Sequence, residues 1–548
     1  MTQMTCLRPR LALALLAAAL SCGKNSSDAP TTVPAVVFTP VVTTVAVSPG
    51  TLQLTVGAAA SLTATTRDQR DSVMTGRSVQ WSSTAPAVAT VSQSGTVTAV
   101  GTGTASVSAS VDGKSGTASV TVTASSPPPT SEFQTTVPPI DLNVVAARPT
   151  ANSVSLSVMS GTARSATVTL ISDGRTATRS LSAGAPYVFE FTGLAADRAY
   201  RYRVDAGAAS LTGSFHTARS SGATWRFDVQ ADPHLDSNSD PNIYANTLNN
   251  MLADSADFLI DLGDTFMSEK YPSYQDAAVQ YYAQRYYFGL TGSTLPLYLV
   301  QGNHDGELGW LTGNAAWAAG MRATYFPPIQ QNAFYSTNAA PRNYYAWRWG
   351  AATFIVLDPY AATATQPGKA GTPWAFTLGK EQYDWLVATL QANTAPYTFI
   401  FIHNLVGGNS TDGRGGSEAS VFYEWGGQNA DGTPGFATQR PGWLKPIHDL
   451  MVQYKVSAMF HGHDHLYVHQ TRDGIHYQEV PQPSLAREGQ TSSAATYGYV
   501  TGTLLSSSGH MRITVSPSKA TVEYIRSRLT SGNGTVVDSY TIAPAVRP

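Results

Sequence analysis

The stretch Leu297-Tyr298-Leu299-Val300-Gln301-Gly302-Asn303-His304-Asp305 runs an apolar, strand-like segment straight into a turn that carries an amide, an imidazole and a carboxylate. The same arrangement occurs four more times in the second half of the chain. Trp225 to Gln230 leads to Asp232 and His234, Phe258 to Leu262 to Gly263 and Asp264, Tyr397 to Ile402 to His403, and Val456 to Phe460 to Gly462-His463-Asp464-His465. In layered α/β folds the loops at the carboxyl ends of strands converge, so five such ends gather Asp, Asn and His at one place. Between them lie helical patterns at 242–253, 274–288, 378–391 and 443–454, and a hairpin at 345–357. Within 378–391, Gln382, Trp385, Leu386 and Leu390 recur at helical spacing, and Trp385 and the leucines read as core. Strands return after His465, at 511–515 and 521–525, around a Pro517-Ser518-Lys519 turn. The pattern predicts an α/β domain over 224–540 built as a four-layer sandwich, with two β-sheets face to face and helices outside.

At 548 residues the chain is too long for one core, and roughly 150 residues per domain gives three or four units. Charged residues make up 13%, about half the usual share, and the net charge is −2. That balance carries no basic footprint for nucleic acid. Arg8 and Arg10 precede the apolar stretch Leu11 to Leu20, which is too short to span a bilayer and reads as an export signal. Ala19-Leu20-Ser21-Cys22 resembles a bacterial lipobox. The resemblance implies a lipoprotein signal peptide at 1–21, a lipid anchor on Cys22 and a tether at 22–40, with Gly23 pointing to the outer membrane or cell surface. The chain has 2 cysteines, Cys6 and Cys22, and cleavage before Cys22 leaves one, which excludes an internal disulfide. No later stretch reaches the ~18 consecutive apolar residues of a spanning helix.

From 41 to 124 apolar and small polar residues alternate in short runs broken by glycine, the pattern of a small β-sandwich. The runs Val79-Gln80-Trp81, Val88 to Val91, Gly95 to Val100 and Gly103-Thr104-Ala105 resemble bacterial Ig-like domains of the intimin type, which implies a spacer or adhesive module. Trp81 reads as core, and no cluster of exposed aromatic or charged residues marks a partner surface. A Pro-rich linker at 125–137 contains Pro127-Pro128-Pro129. A second sandwich is expected at 138–219, with strands at 153–158, 166–171 and 187–191. Gly193-Leu194, Tyr200-Arg201-Tyr202 and Ser214-Phe215 resemble a fibronectin type III domain, and the spacing from Leu194 to Tyr200 fits a tyrosine corner. In purple acid phosphatases and their bacterial relatives such a domain directly precedes the catalytic one.

Two adjacent divalent ions need about seven N/O ligands with one carboxylate shared, and the five strand ends supply that number. Their order resembles the calcineurin-like metallophosphoesterase family: Asp-x-His, Gly-Asp, Gly-Asn-His-Asp, a lone His and Gly-His-x-His. The resemblance implies one ion on Asp232, His234, Asp264 and His465, and another on Asp264, Asn303, His403 and His463, with Asp264 bridging. It implies a bridging hydroxide as nucleophile, His304 as proton donor to the leaving oxygen, and Asp305 as the group orienting His304. The cofactors would be two divalent or trivalent ions, Fe, Zn or Mn. Asp261, inside its strand, reads as structural, and His461 and Asp464 as supporting groups; the His-Gly-His-Asp-His run lacks the spacing of a metallo-β-lactamase. His216, His448, His469, His476 and His510 match no block. Where purple acid phosphatases carry a metal-binding tyrosine this chain has Met267, and where they have Gly it has His234, so an iron–tyrosinate colour is not expected. Tyr467 matches the purple-phosphatase pattern and is expected to shape the pocket. The Gly-rich stretch 404–440 is read as a pocket wall with Arg414 or Arg440 as a phosphate contact.

The expected function is an exported, acid-phosphatase-like phosphoesterase acting on small phosphate monoesters. A phosphodiesterase or nucleotidase of the same fold is the alternative, and a surface adhesion protein with a vestigial phosphoesterase domain the alternative from another class. Replacing Cys22→Ser is expected to move the protein from the membrane fraction to the soluble one; an unchanged membrane fraction on fractionation would count against the lipid anchor.

Overall fold

The computed structural model describes residues 39–55, 58–123, 132–327, 343–369, 371–409, 412–487 and 489–546. The expected signal peptide, Cys22, most of the tether and the proline run of the linker fall outside the described residues. The chain divides into two compact units, residues 1–123 and residues 124–548.

In the first unit the long hairpin Gly103–Val111 and Lys114–Thr123 pairs antiparallel, and Thr51–Thr55 joins it in parallel along Ser119 to Thr123. The strict alternation read from the sequence is the pleat: Ala105, Val107, Ala109 and Val111 are buried, with small polar residues between them. Ala105 and Val107 pack with Leu62, Val97 and Val120, Ala109 and Val111 with Val42 and Val45, and Trp81 lies half-buried against both clusters.

The second unit opens with a β-sandwich. Leu142–Ala147, Ser153–Ser160 and Tyr187–Thr192 form one face; Arg164–Leu170, Thr176–Leu181, Ala199–Ala206 and Ala209–His216 form the other. The Tyr200 hydroxyl accepts the Ala195 amide at 2.8 Å, the corner lock that the Leu194–Tyr200 spacing called for. This sandwich is continuous with the α/β layers that follow it. Ala147 pairs in parallel with Leu297, so its first face extends into one nine-stranded sheet through Leu297–Leu299, Leu259–Asp261, Trp225–Gln230, Gly509–Val515, Ala520–Arg526 and Thr535–Ile542. A seven-stranded sheet runs in the order Tyr345–Trp349, Ala352–Val356, Tyr397–Phe401, Ala458–His461, Ile475–Glu479, Leu466–Arg472 and Thr503–Ser506.

The two large sheets meet over an aromatic core that includes Trp225, Phe227, Phe258, Phe354, Phe399, Phe401 and Phe460. Helices Pro241–Asp254 and Ala278–Thr291 cover one outer face, and Gly379–Ala392 and Ile447–Gln453 the other. The result is the four-layer α/β sandwich, preceded by β-sandwich units. Strands Trp225–Gln230, Leu259–Asp261 and Leu297–Leu299 are parallel, as are Ala352–Val356, Tyr397–Phe401 and Ala458–His461. Parallel neighbours put their carboxyl ends on one edge, which is where every ligand-type residue follows.

Three expectations shift. The helix read at 443–454 starts only at Ile447, because Pro446 precedes it and holds an extended backbone. Helix Thr312–Tyr325 has no counterpart in the sequence pattern: it buries only Asn314 and Ala318 and so has no strong apolar stripe. Tyr467 does not shape the pocket. It points between the sheets, stacks on Tyr524 at 4.7 Å and donates to Asp538 at 2.6 Å, because on Leu466–Arg472 its neighbours Leu466 and Val468 take the opposite face.

Arg285, fully buried on helix Ala278–Thr291, holds the small sandwich to the α/β layers. It donates to Asn143 Oδ1 at 2.7 Å, Ser157 Oγ at 2.9 Å, the Ser157 carbonyl at 2.6 Å and the Tyr325 carbonyl at 2.7 Å. Burial pulls its pKa down to about 9, so it is still charged at neutral pH. Arg285→Met strands buried acceptors and is expected to lower stability by about 3–5 kcal/mol, read by chemical denaturation of the full chain. An unchanged midpoint would mean that apolar contacts alone hold the junction.

Candidate metal centre

The strand ends deliver their side chains into one cluster. Asp232, His234 and His465 lie together, as do Asp264, His403 and His463. Asp264 Oδ2 stands between the groups, 3.5 Å from His234 Nε2 and 3.2 Å from His403 Nε2. Asp232 Oδ1 is 3.6 Å from His234 Nε2 and 3.5 Å from His465 Nε2, and Asn303 Oδ1 is 3.1 Å from His403 Nε2. Donor atoms sharing an ion at ~2.1 Å stand roughly 3.0–3.5 Å apart, whereas hydrogen bonds would draw them nearer 2.8 Å. Asp232 Oδ1, His234 Nε2 and His463 Nε2 are buried and make no hydrogen bond. Buried polar atoms are nearly always paired, so these orphaned donors fit metal ions. The structure thus gathers all seven residues named as ligands from the sequence.

The backbone is bent to achieve this. Asp232, Asp264, His463 and His465 all adopt left-handed conformations, with φ of 60°, 56°, 80° and 56°. Each costs on the order of 1 kcal/mol or more for a residue with a Cβ, and such strain concentrates at functional sites. Two glycines permit the approach: a Cβ on Gly302 would sit 2.1 Å from the Asp264 nitrogen, and one on Gly462 would sit 2.5 Å from Asp232 Oδ2. The imidazoles are held from behind. His403 Nδ1 donates to the Leu262 carbonyl at 2.9 Å, and His234 Nδ1 faces Asp236 Oδ2 at 3.4 Å, which leaves both Nε2 atoms for a metal.

Charge supports the same reading. Burial would raise the Asp264 carboxyl, but the histidines around it, His304 and His403 foremost, hold its pKa well below the usual range. His403, against burial, is pushed up to about 9 by Asp264. Buried carboxylates held ionised this strongly call for positive charge beside them, which a bound cation can supply.

Asp305 does not orient His304. Its carboxylate accepts the backbone amides of Asp264 at 3.1 Å, Thr265 at 2.7 Å, Phe266 at 2.8 Å and Gly302 at 2.8 Å, so it fixes the loop that carries Asp264. The partner of His304 is Glu269, whose Oε1 meets His304 Nδ1 in a short hydrogen bond. Burial would raise the Glu269 carboxyl, yet the bond and charge of His304 bring its pKa below the usual range. No sequence pattern marks Glu269: it follows Asp264 by five residues, within the 3-10 turn Ser268–Lys270. Asp261 is structural as read, accepting from Thr265 Oγ1 at 2.5 Å and Gln230 Nε2 at 2.7 Å.

His461 and Asp464 lie behind the ligands. His461 Nδ1 stands 2.7 Å from Glu479 Oε2, and burial pulls its pKa down to about 3. Asp464 accepts from Arg414, the Gly415 amide and Tyr499, all at 2.8–2.9 Å. Arg414 is therefore committed to Asp464 and to the His463 carbonyl, and it props the His463 turn. Arg440 pairs with buried Glu424 and with the Trp374 carbonyl, and this replaces its expected phosphate role. Met267 is buried against Phe133, Tyr271 and Ala277, with no tyrosine in its place.

Residues 226–467 match the family described as calcineurin-like phosphoesterase, and residues 41–123 match the bacterial Ig-like domain, group 2. The second unit thus contains the catalytic domain of a metal-dependent phosphoesterase, and the first is a bacterial Ig-like domain. Among solved structures the fold is similar to one titled "Structure of PhoD", at 15% identity and a TM-score of 0.51, covering 75% of this chain and 89% of that one. It is equally similar to purple acid phosphatase PPD1 from yellow lupin (Lupinus luteus) seeds, at 13% identity and a TM-score of 0.51, covering 91% and 95%. No curated protein matches the chain.

Removing His304 (His304→Ala) is expected to lower kcat by roughly two to four powers of ten with metal content kept. Glu269→Gln, which keeps the shape but loses the charge, is expected to cost on the order of tenfold in kcat with metal content kept. If Glu269→Gln leaves kcat in place, the pairing of Glu269 with His304 has no role in the reaction.

Proposed function

We propose that this chain is an exported phosphoesterase holding two metal ions, with phosphate monoesters as substrates. The observation that carries the reading is the sharing of Asp264 Oδ2 between the Asp232–His234–His465 group and the His403–His463 group. The first ion would take Asp232, His234, Asp264 and His465, and the second Asp264, Asn303, His403 and His463. Ions bound there would supply Lewis-acid polarisation of a phosphoryl oxygen and a water acidic enough to attack it. Asn303 adds a ligand without adding charge, which keeps its ion the stronger acid.

The chain's own residues do the rest. His304 is half-buried at the mouth, with Nδ1 on Glu269 and Nε2 3.7 Å from Asp264 Oδ2. That orientation turns Nε2 toward the cluster, where a leaving alkoxide needs a proton. Glu269 fixes the ring through its bond to Nδ1. His465, 34% exposed at its side chain, lies on the open side with half-buried Asn303, and Asp232, His234, Asp264, His403 and His463 are buried.

Met267 in place of a tyrosine supports a colourless centre of Fe, Zn or Mn without a tyrosinate ligand. The Ig-like domain and the leader-like start support display outside the cell on a lipid anchor at Cys22. No helix among the described residues is long and apolar enough to cross a membrane.

Elemental analysis paired with rates on a mono- and diester panel tests the proposal in wild type and Asp264→Asn. Asp264→Asn is expected to hold two ions per chain fewer than wild type, with monoester rates above diester rates in wild type and both rates falling sharply in the variant. Faster diester turnover would make the chain a phosphodiesterase, and full metal loading with no turnover of either class would favour the adhesive reading.

A further inference from the structure

A second cluster of metal-type residues lies away from the phosphoesterase centre, between the nine-stranded sheet and helix Pro241–Asp254. Asp228, Asp254 and His510 bring three ligand atoms within 4.8 Å of one another, all on buried residues. Asp228 sits four residues before Asp232 on the same strand, about 13 Å away at the rise of an extended chain. It faces the helix layer, since Phe227 and Val229 on either side belong to the inter-sheet core. His510 comes from the neighbouring strand Gly509–Val515, and Asp254 is the last residue of the helix.

Asp228 is 0% exposed, and neither of its carboxylate oxygens has a hydrogen-bond partner. His510, also 0% exposed, uses Nε2 on Asp254 Oδ2 at 2.7 Å, while its Nδ1 is unpaired. Both oxygens of a buried carboxylate standing alone is a costly arrangement. The two nearby guanidiniums are engaged elsewhere. Arg512 donates to Asp254 Oδ1 at 2.6 Å and to Glu523 at 2.9 Å, and Arg226 to the Asp254 carbonyl at 3.0 Å and Thr514 at 3.2 Å. Asp254 also places a carboxylate at the negative pole of its helix, where a cation is favoured.

We propose that Asp228, Asp254 and His510 form a further cation site, distinct from the phosphoesterase centre and suited to a first-row divalent ion of the Zn2+ type. Two carboxylates and one imidazole are the donor set of a three-ligand tetrahedral site that keeps one position for water. Asp228 is the ligand without another role, and Arg512 behind Asp254 supplies the outer-sphere bond that orients it. The ion would tie the helix end to two strands, so its effect is on stability and not on the reaction. The inference does not depend on the phosphoesterase reading.

The test uses the full chain stripped of metal and reloaded with Zn2+ alone. His510→Gln and Asp228→Asn are each expected to hold one equivalent fewer than wild type, with phosphoesterase activity kept. The Asp232→Ala/Asp264→Ala/His463→Ala variant, stripped of ligands from both groups of the other centre, is expected to retain one equivalent and to melt higher with Zn2+ than without. Equal metal content in wild type and in both single variants overturns the proposal, leaving Asp228 as a buried neutral acid. So does an Asp232→Ala/Asp264→Ala/His463→Ala chain that binds no Zn2+. If a single variant fails to fold, the triple-variant result decides alone.

Discussion

The carboxylate of Asp264 is the point on which the catalytic unit turns. One oxygen accepts the His304 amide at 2.7 Å, and the other faces His234, His304 and His403. For one small side chain to do both, its loop must pass almost in contact with the Gly302 loop. Asp305 enforces that distance by gathering four amides from the two loops. The left-handed turns at Asp232, Asp264, His463 and His465 are the visible cost of packing so many donors at the ends of parallel strands. The aromatic core between the sheets supplies the rigidity that holds them there.

Much of this is legible in the sequence because the site is built where the signal is strongest. A short apolar run ending in a glycine turn reads as a strand, and Asp, Asn or His after it reads as a ligand. Five repetitions make the layered fold and the seven donors recoverable together. What escapes has no such marker. Glu269 sits in a Ser-Glu-Lys turn that no motif marks, and only the fold brings it to His304. Adjacency in sequence suggests His304 as the partner of Asp305, while the turn aims that carboxylate at amides. Arg440 reads as free in a Gly-rich stretch, but that stretch folds around buried Glu424, which claims it. The pleat of Leu466–Arg472 decides Tyr467, since a strand between two packing layers gives neighbouring residues opposite surroundings.

The family match accounts for the Asp-x-His, Gly-Asp, Gly-Asn-His-Asp and Gly-His-x-His blocks, and the likeness to two solved structures at low identity concerns the fold alone. Individual features of this chain come from its own residues: a methionine three residues after Asp264 packed against Phe133, a glutamate behind His304, and an arginine propping the His463 turn.

The sheet that passes without a break from the small sandwich into the catalytic layers has a further consequence. Leu297–Leu299 is flanked on one side by Leu259–Asp261 and is bridged on the other through Ala147. A polypeptide begun at Thr224 would leave that side bare, with main-chain donors and acceptors aligned for a foreign strand. The sandwich therefore acts as a cover for a raw edge, and a catalytic fragment cut free of it would tend to self-associate through Leu297–Leu299.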